Sequence, residues 1–185
     1  TYTQGSLTIN QAPLTITISK TYDGAATFTN ANTYTISGTR YNSDANPTIA
    51  SGTLTVTSPN YASAGYTTDN FGISSNTFVL SNTNYSVTVV GAIVNATINK
   101  ADLAISAVTD TKPYDGTTAS AVTPTYTGLV TRDSGKLTAL AQVFNSENVN
   151  GTNGSILSVS AYTLDPSVSG NYTVGTATAL GTINK

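Results

Sequence analysis

The chain has no cysteine, histidine, methionine or tryptophan in its 185 residues, and only 9% of it is charged. Without cysteine there is no disulfide framework and no thiolate nucleophile. Without histidine the imidazole triads and the common zinc sites are gone, and with them acid–base chemistry near neutral pH. Glu147 is the one glutamate and the aspartates are scattered, so no carboxylate pair is set up for glycoside hydrolysis. We therefore expect no enzyme and no cofactor. The net charge of −2 and the isoelectric point near 4.7 offer no basic patch, so nucleic acid is not an expected partner. No apolar run approaches the roughly 20 residues of a membrane span. The chain opens "TYTQGS" with no Met and no leader, and is expected to be a piece of something longer. A cysteine-free composition fits secretion by a route that needs no disulfides.

What is present is threonine, followed by serine, asparagine, alanine and glycine, with 38% hydrophobic residues to build a core. Apolar and hydroxylated residues alternate with period two. "LTITIS" places Leu14, Ile16 and Ile18 on one face, and "TLTVTS" does the same with Leu54 and Val56. "YSVTVV" continues the pattern through Val87 and Val89, and "DLAISAV" through Leu103, Ile105 and Ala107. "DG", "NG" and "SG" turn signals interrupt at short intervals. The pattern predicts an all-β chain. "KLTALAQVF" is open between strand and helical turn.

The sequence also repeats itself. "LTIN", "ATIN" and "GTIN" recur with Ile9, Ile98 and Ile183 separated by 89 and 85 residues. Tyr22-Asp23-Gly24 returns as Tyr114-Asp115-Gly116, and Asn84-Tyr85 as Asn171-Tyr172. A weaker match pairs "YASAG" with "FNSENVNG". A unit of this length suits a small β-sandwich of about seven strands rather than a solenoid coil. The expected organisation is the last strand of a preceding repeat over 1–10, then one repeat over 11–99 and another over 100–185. These are read as tandem Ig-like β-sandwich modules arranged end to end, with almost no linker between them.

Each copy carries Lys-x-Tyr-Asp-Gly: Lys20, Tyr22, Asp23 and Gly24, then Lys112, Tyr114, Asp115 and Gly116. The residue types describe a turn. Glycine accepts positive φ, aspartate bonds the backbone just beyond, tyrosine packs nearby and lysine lays its stem over the ring. "KPYDGTT", "LVTRDSGKLTAL", "GNYTV" and "GTINK" resemble the YDG-type repeats of large bacterial surface adhesins, which are related to the MBG repeats of filamentous-haemagglutinin-like exoproteins. The resemblance covers 100–185 well and 11–99 more loosely. It implies non-catalytic stalk modules on the bacterial surface or outside the cell. Their partners would be neighbouring repeats of the same chain, with host or biofilm surfaces engaged through other domains.

Other chemistries are weaker. Asp110, Asp115 and Asp133 are the best calcium candidates, yet the first-copy counterpart of Asp110 is Ile18. Lys20 or Lys112 with Asp23 or Asp115 could form an isopeptide bond, although a snorkelling lysine explains the same residues. Isolated threonine strands fall short of an ice-binding ladder. Sequons at Asn84, Asn95, Asn150, Asn153 and Asn171 are expected by chance in so Asn- and Thr-rich a chain. The rival function is a binding module for a host glycan or protein through Tyr34, Tyr41, Tyr61 and Tyr66, where the copies diverge. A third is association between repeats.

Overall fold

The alternation at residues 14–18 becomes strand Thr15–Thr21, with Leu14, Ile16 and Ile18 buried and Thr15, Thr17 and Ser19 turned outward or half-covered. In the computed structural model, residues 5, 7–41, 43–70 and 72–185 are described. They form an all-β chain whose helical content is one turn at Pro166–Ser169 and a 3-10 turn at Thr131–Asp133. No helix among the described residues is long and apolar enough to cross a membrane.

The chain divides into two compact units. One comprises Thr1–Thr21 and Ala25–Asn99, the other Tyr22–Gly24 and Lys100–Lys185. The division departs from the sequence repeat at the first copy's Tyr-Asp-Gly, which folds with the second unit, and it groups Leu7–Asn10, read as part of a preceding repeat, with the first unit. Residues 1–4 and 6, within the stretch expected to be a strand over 1–10, lie outside the described residues; Gly5 and Leu7–Asn10 are in no strand.

In the first unit the central sheet places Thr15–Thr21 between Thr33–Ser37, antiparallel, and Ile93–Asn99, parallel. Tyr66–Thr67 adds to the far edge of Ile93–Asn99. The core is Leu14, Ile16, Ile18, Phe28, Leu54, Val56, Val94, Ala96 and Ile98. At roughly 1.5–3 kcal/mol for each fully buried aliphatic side chain, this apolar stripe is the main source of the unit's stability.

In the second unit a strand is again flanked by one antiparallel and one parallel neighbour. Ala101–Ser106 lies between Thr125–Thr127, antiparallel, and Tyr172–Ala177, parallel. Thr111–Pro113 runs parallel to Ala179–Asn184, which pairs with Ser155–Leu164, itself paired with Leu137–Phe144. Ala107, Phe144, Leu157 and Ile183 pack as one cluster with Val159 and Ala179 against them. Parallel pairing of an early strand with a late one requires the rest of the chain to cross over between them. In each unit this ties the beginning of the sequence repeat to its end.

"KLTALAQVF" is a strand. Its weak alternation has a local cause: Ala139 takes φ +53°, and the register shifts between Thr138 and Ala141 and again before Gln142. An inserted residue of this kind resets which face each side chain takes.

Candidate functional site

The two Tyr-Asp-Gly loops begin alike. Gly24 and Gly116 have φ +80° and +72°, the left-handed region that glycine enters without steric cost. Lys20, itself buried, donates from Nζ to the carbonyls of Ala25 and Thr27 at 2.7 and 3.1 Å. Lys112 donates to the Asp115 carboxylate at 2.8 Å and to the Thr117 carbonyl and hydroxyl at 2.6 and 3.0 Å. Both ammonium groups lie over a phenylalanine ring, Lys20 at 5.1 Å from Phe28 and Lys112 at 5.5 Å from Phe144. The lysines do lie on rings, but on the core phenylalanines rather than on the motif tyrosines.

Asp115 Oδ1 also accepts from the Thr117 backbone N–H and hydroxyl, both at 2.9 Å. This closes the expected Asp-Gly turn. The Lys112 ammonium, with these two donors, holds the Asp115 carboxyl down to about 2.

The tyrosines then part company. Tyr22 is 4% exposed and Tyr114 is 55% exposed. In the second unit the Tyr22 hydroxyl donates to the Asp133 carboxylate, at 3.0 Å to Oδ2, and the Tyr172 hydroxyl donates to the same oxygen at 2.5 Å. The two rings meet edge to face with centroids 5.6 Å apart. Asn171 hydrogen-bonds the Tyr22 hydroxyl, and the Val130 N–H donates to that of Tyr172 at 3.1 Å. Arg132 donates to the Gly24 carbonyl. Burial first, then the hydrogen bond to Asp133, raises the pKa of both phenols. The site is therefore a socket: a buried carboxylate with a resident tyrosine, closed over a second tyrosine from a Tyr-Asp-Gly loop.

The first unit contains the same frame. Tyr85, buried, donates to Asp44 Oδ2 at 3.0 Å and accepts from the Tyr41 N–H at 2.8 Å. The Asp44 N–H donates to the Tyr41 carbonyl as the Asp133 N–H does to that of Val130. The Ala12 N–H donates to the Asn84 carbonyl as that of Ala101 does to Asn171, and Ala12 faces Tyr85 in register as Ala101 faces Tyr172. Asp133 was read from sequence only as a calcium candidate and Tyr172 only as a repeat landmark, and Arg132 was not singled out. The signal was there: Asp44 and Asp133 are 89 residues apart and Tyr85 and Tyr172 are 87 apart, the same spacing as the recognised repeat landmarks.

The remaining candidates separate. Tyr66 is buried and its hydroxyl donates to the Asn60 carbonyl at 2.5 Å, while the half-buried Tyr34 accepts from the Ile49 N–H at 3.1 Å. Tyr41 is exposed and Tyr61 marginally so. Two of the four rings proposed as a ligand surface are thus turned inward. Asp110 accepts from Ser120 at 2.7 Å, Asp115 is held by Lys112 and Asp133 by two tyrosines. Among the described residues no three metal-ligating side chains cluster. Of the sequon asparagines, Asn171 is buried while Asn84, Asn150 and Asn153 are exposed.

Residues 99–179 match the YDG domain. That match runs from the last residue of Ile93–Asn99 into Ala179–Asn184 and takes in Tyr114-Asp115-Gly116, Asp133 and Tyr172. No curated protein and no solved structure matches the chain.

Proposed function

We propose that the chain consists of non-catalytic stalk repeats of a secreted or surface-anchored bacterial adhesin, holding a distal binding region away from the cell. The observation that carries the reading is that the motif residues are spent on structure. Lysine fastens the loop, glycine makes its turn, and tyrosine, where buried, fills a socket built from residues of the other copy. The YDG match over 99–179 and the repetition of the Asp–Tyr frame support it. In this reading each unit is a small Ig-like sandwich and successive units are set end to end, so that copies add length. The partners are neighbouring repeats, and the protein works outside the cell.

The alternative, binding of a host glycan or protein through the tyrosines of the first copy, rests on Tyr41 and Tyr61, the two exposed rings. It is the weaker reading because Tyr34 and Tyr66 serve backbone groups of their own unit.

Small-angle X-ray scattering of the dilute monomer tests the proposal. End-to-end bodies about 38 Å apart give a radius of gyration of roughly 22 Å, against ~16 Å for one compact body of this length. The larger value is expected. The smaller would overturn the stalk reading.

A further inference from the structure

The socket of the second unit is filled by Tyr22-Asp23-Gly24. That of the first unit opens onto a cleft of about 350 Å³, lined by Ile9, Gln11, Tyr41, Asp44, Asn84 and Tyr85. The volume lies within the ordinary range of ligand clefts. The difference between the sockets is visible residue by residue. Asp133 is buried and Asp44 half-buried; Asn171 is buried and its counterpart Asn84 exposed. Ile9 stands 87% exposed at the rim.

A loop of matching shape is available. Tyr114 is exposed, and a Cβ built on Gly116 would meet nothing within 4 Å. The same test on Gly24 meets Arg132 Cδ at 3.0 Å, Arg132 Cβ at 3.1 Å and Val130 Cγ1 at 3.5 Å. One loop is seated and the other is bare. The bare loop is already fixed by Lys112, Asp115 and Thr117, so docking it requires little further ordering.

We infer that the Asp44–Tyr85 cleft is a binding site for the Tyr-Asp-Gly loop of a second copy of this chain. Tyr114 of that copy enters with its hydroxyl donating to Asp44 and its ring against Tyr85, as Tyr22 does with Asp133 and Tyr172. The site differs from the filled one at the position of Arg132, which is Ser43, while Arg40 lies exposed three residues before it. Because loop and cleft are different surfaces of one chain, the association is heterologous and head-to-tail, and it propagates instead of closing at two.

The test uses the intact chain, labelled for amide NMR, over a concentration series from micromolar to millimolar, with sedimentation velocity in parallel. The expected result is that the amides of Tyr41, Asp44 and Tyr85 shift together with those of 114–117, and that species larger than the dimer form. Tyr114→Ala, a change at an exposed position, removes both effects. An equimolar mixture of Tyr114→Ala chains, whose cleft is intact, with Asp44→Asn chains, whose loop is intact, gives a heterodimer that grows no further. Constant shifts up to millimolar concentration overturn the proposal, as does association that Tyr114→Ala leaves undiminished. Scattering on the dilute monomer reads the stalk geometry separately, so the two ideas fail independently.

Discussion

Two loops of near-identical sequence, "KTYDGA" and "KPYDGT", meet opposite fates. Both turn through a positive-φ glycine, and both are fastened by a lysine lying on a core phenylalanine. Tyr22 nevertheless closes a buried network with Asp133, Tyr172 and Asn171, while Tyr114 stands in solvent. The local sequence therefore specifies the shape of the loop but not its use. What a motif tyrosine does depends on whether an Asp–Tyr frame lies in front of it. The frame that takes Tyr22 is written in the other copy, its aspartate 111 residues away in the chain.

The largest test of this contrast removes the rings. Tyr22→Ala takes a buried aromatic from a packed site and is expected to cost about 3–5 kcal/mol, as buried Phe→Ala changes do. Tyr114→Ala should stay within about 0.5 kcal/mol, like other exposed substitutions. Chemical denaturation of the two variants beside the parent gives both numbers. Equal losses would mean that Tyr114 is as engaged as Tyr22.

Next comes the carboxylate. Asp133→Ala leaves two buried phenol hydroxyls without their acceptor, at about 1–3 kcal/mol each, so a total of about 2–6 kcal/mol is expected. Asp44→Ala removes the acceptor of the Tyr85 hydroxyl and of the Asn82 amide at a half-open site and should cost about 1 kcal/mol. The order of the two, measured the same way, separates a filled socket from an open one.

The glycines sharpen the comparison further. Any residue other than glycine in the left-handed region costs about 1–2 kcal/mol, so Gly116→Ala should lose about that and no more. Gly24→Ala adds the crowding of its new Cβ against Arg132 at 3.0–3.1 Å and must lose more. If both variants lose the same amount, Arg132 yields freely and the loop is not tightly seated.

These contrasts also show what could be read in advance. Leu14, Ile16, Ile18, Leu54, Val56, Leu103 and Ile105 announced their burial by strict alternation, and all seven are buried. The all-β class followed from the same signal. The strand at 137–144 was ambiguous because the turn at Ala139 breaks the period on which such reading depends. The Asp-Gly turn was legible because its constraints are local, a positive φ and an acceptor just ahead; the lysine, expected to lay its stem over the tyrosine ring, instead donates to the loop. Its partner site was not, because hydrogen bonds from Tyr22 to Asp133 join residues 111 apart, and no local propensity marks an aspartate as a socket. Their 89-residue spacing is the one sequence signal relating Asp44 to Asp133, and it says that the two are equivalent without saying what they hold.

The buried tyrosines and the exposed loop should also fail at opposite ends of the pH scale. Tyr22 and Tyr172 have pKa values raised in the fold, chiefly by burial and then by Asp133, so their unfolded forms lose protons first. Their contribution is complete below about 10 and is lost as pH rises through the folded values. Ultraviolet titration should show a late tyrosinate component, and Tyr22→Phe should remove part of it.

The acid limb is the smallest effect and concerns the other loop. The Asp115 carboxyl is held down to about 2 in the folded chain, below the ordinary 3.8 of an aspartate, because Lys112 and Thr117 donate to its ionised form. A carboxylate depressed in this way contributes its stability above the unfolded value and loses it as pH falls from about 4 through about 2. The side chain is half-exposed, so solvent and salt weaken the pair and little global stability should change. The local signature is specific all the same. The Asp115 carboxyl carbon should titrate near 2 by NMR, the amide of Thr117 should shift with it, and Lys112→Ala should move the midpoint up towards 3.8. A midpoint unmoved by that substitution would assign the depression to Thr117, leaving lysine to serve Phe144 and the Thr117 carbonyl alone.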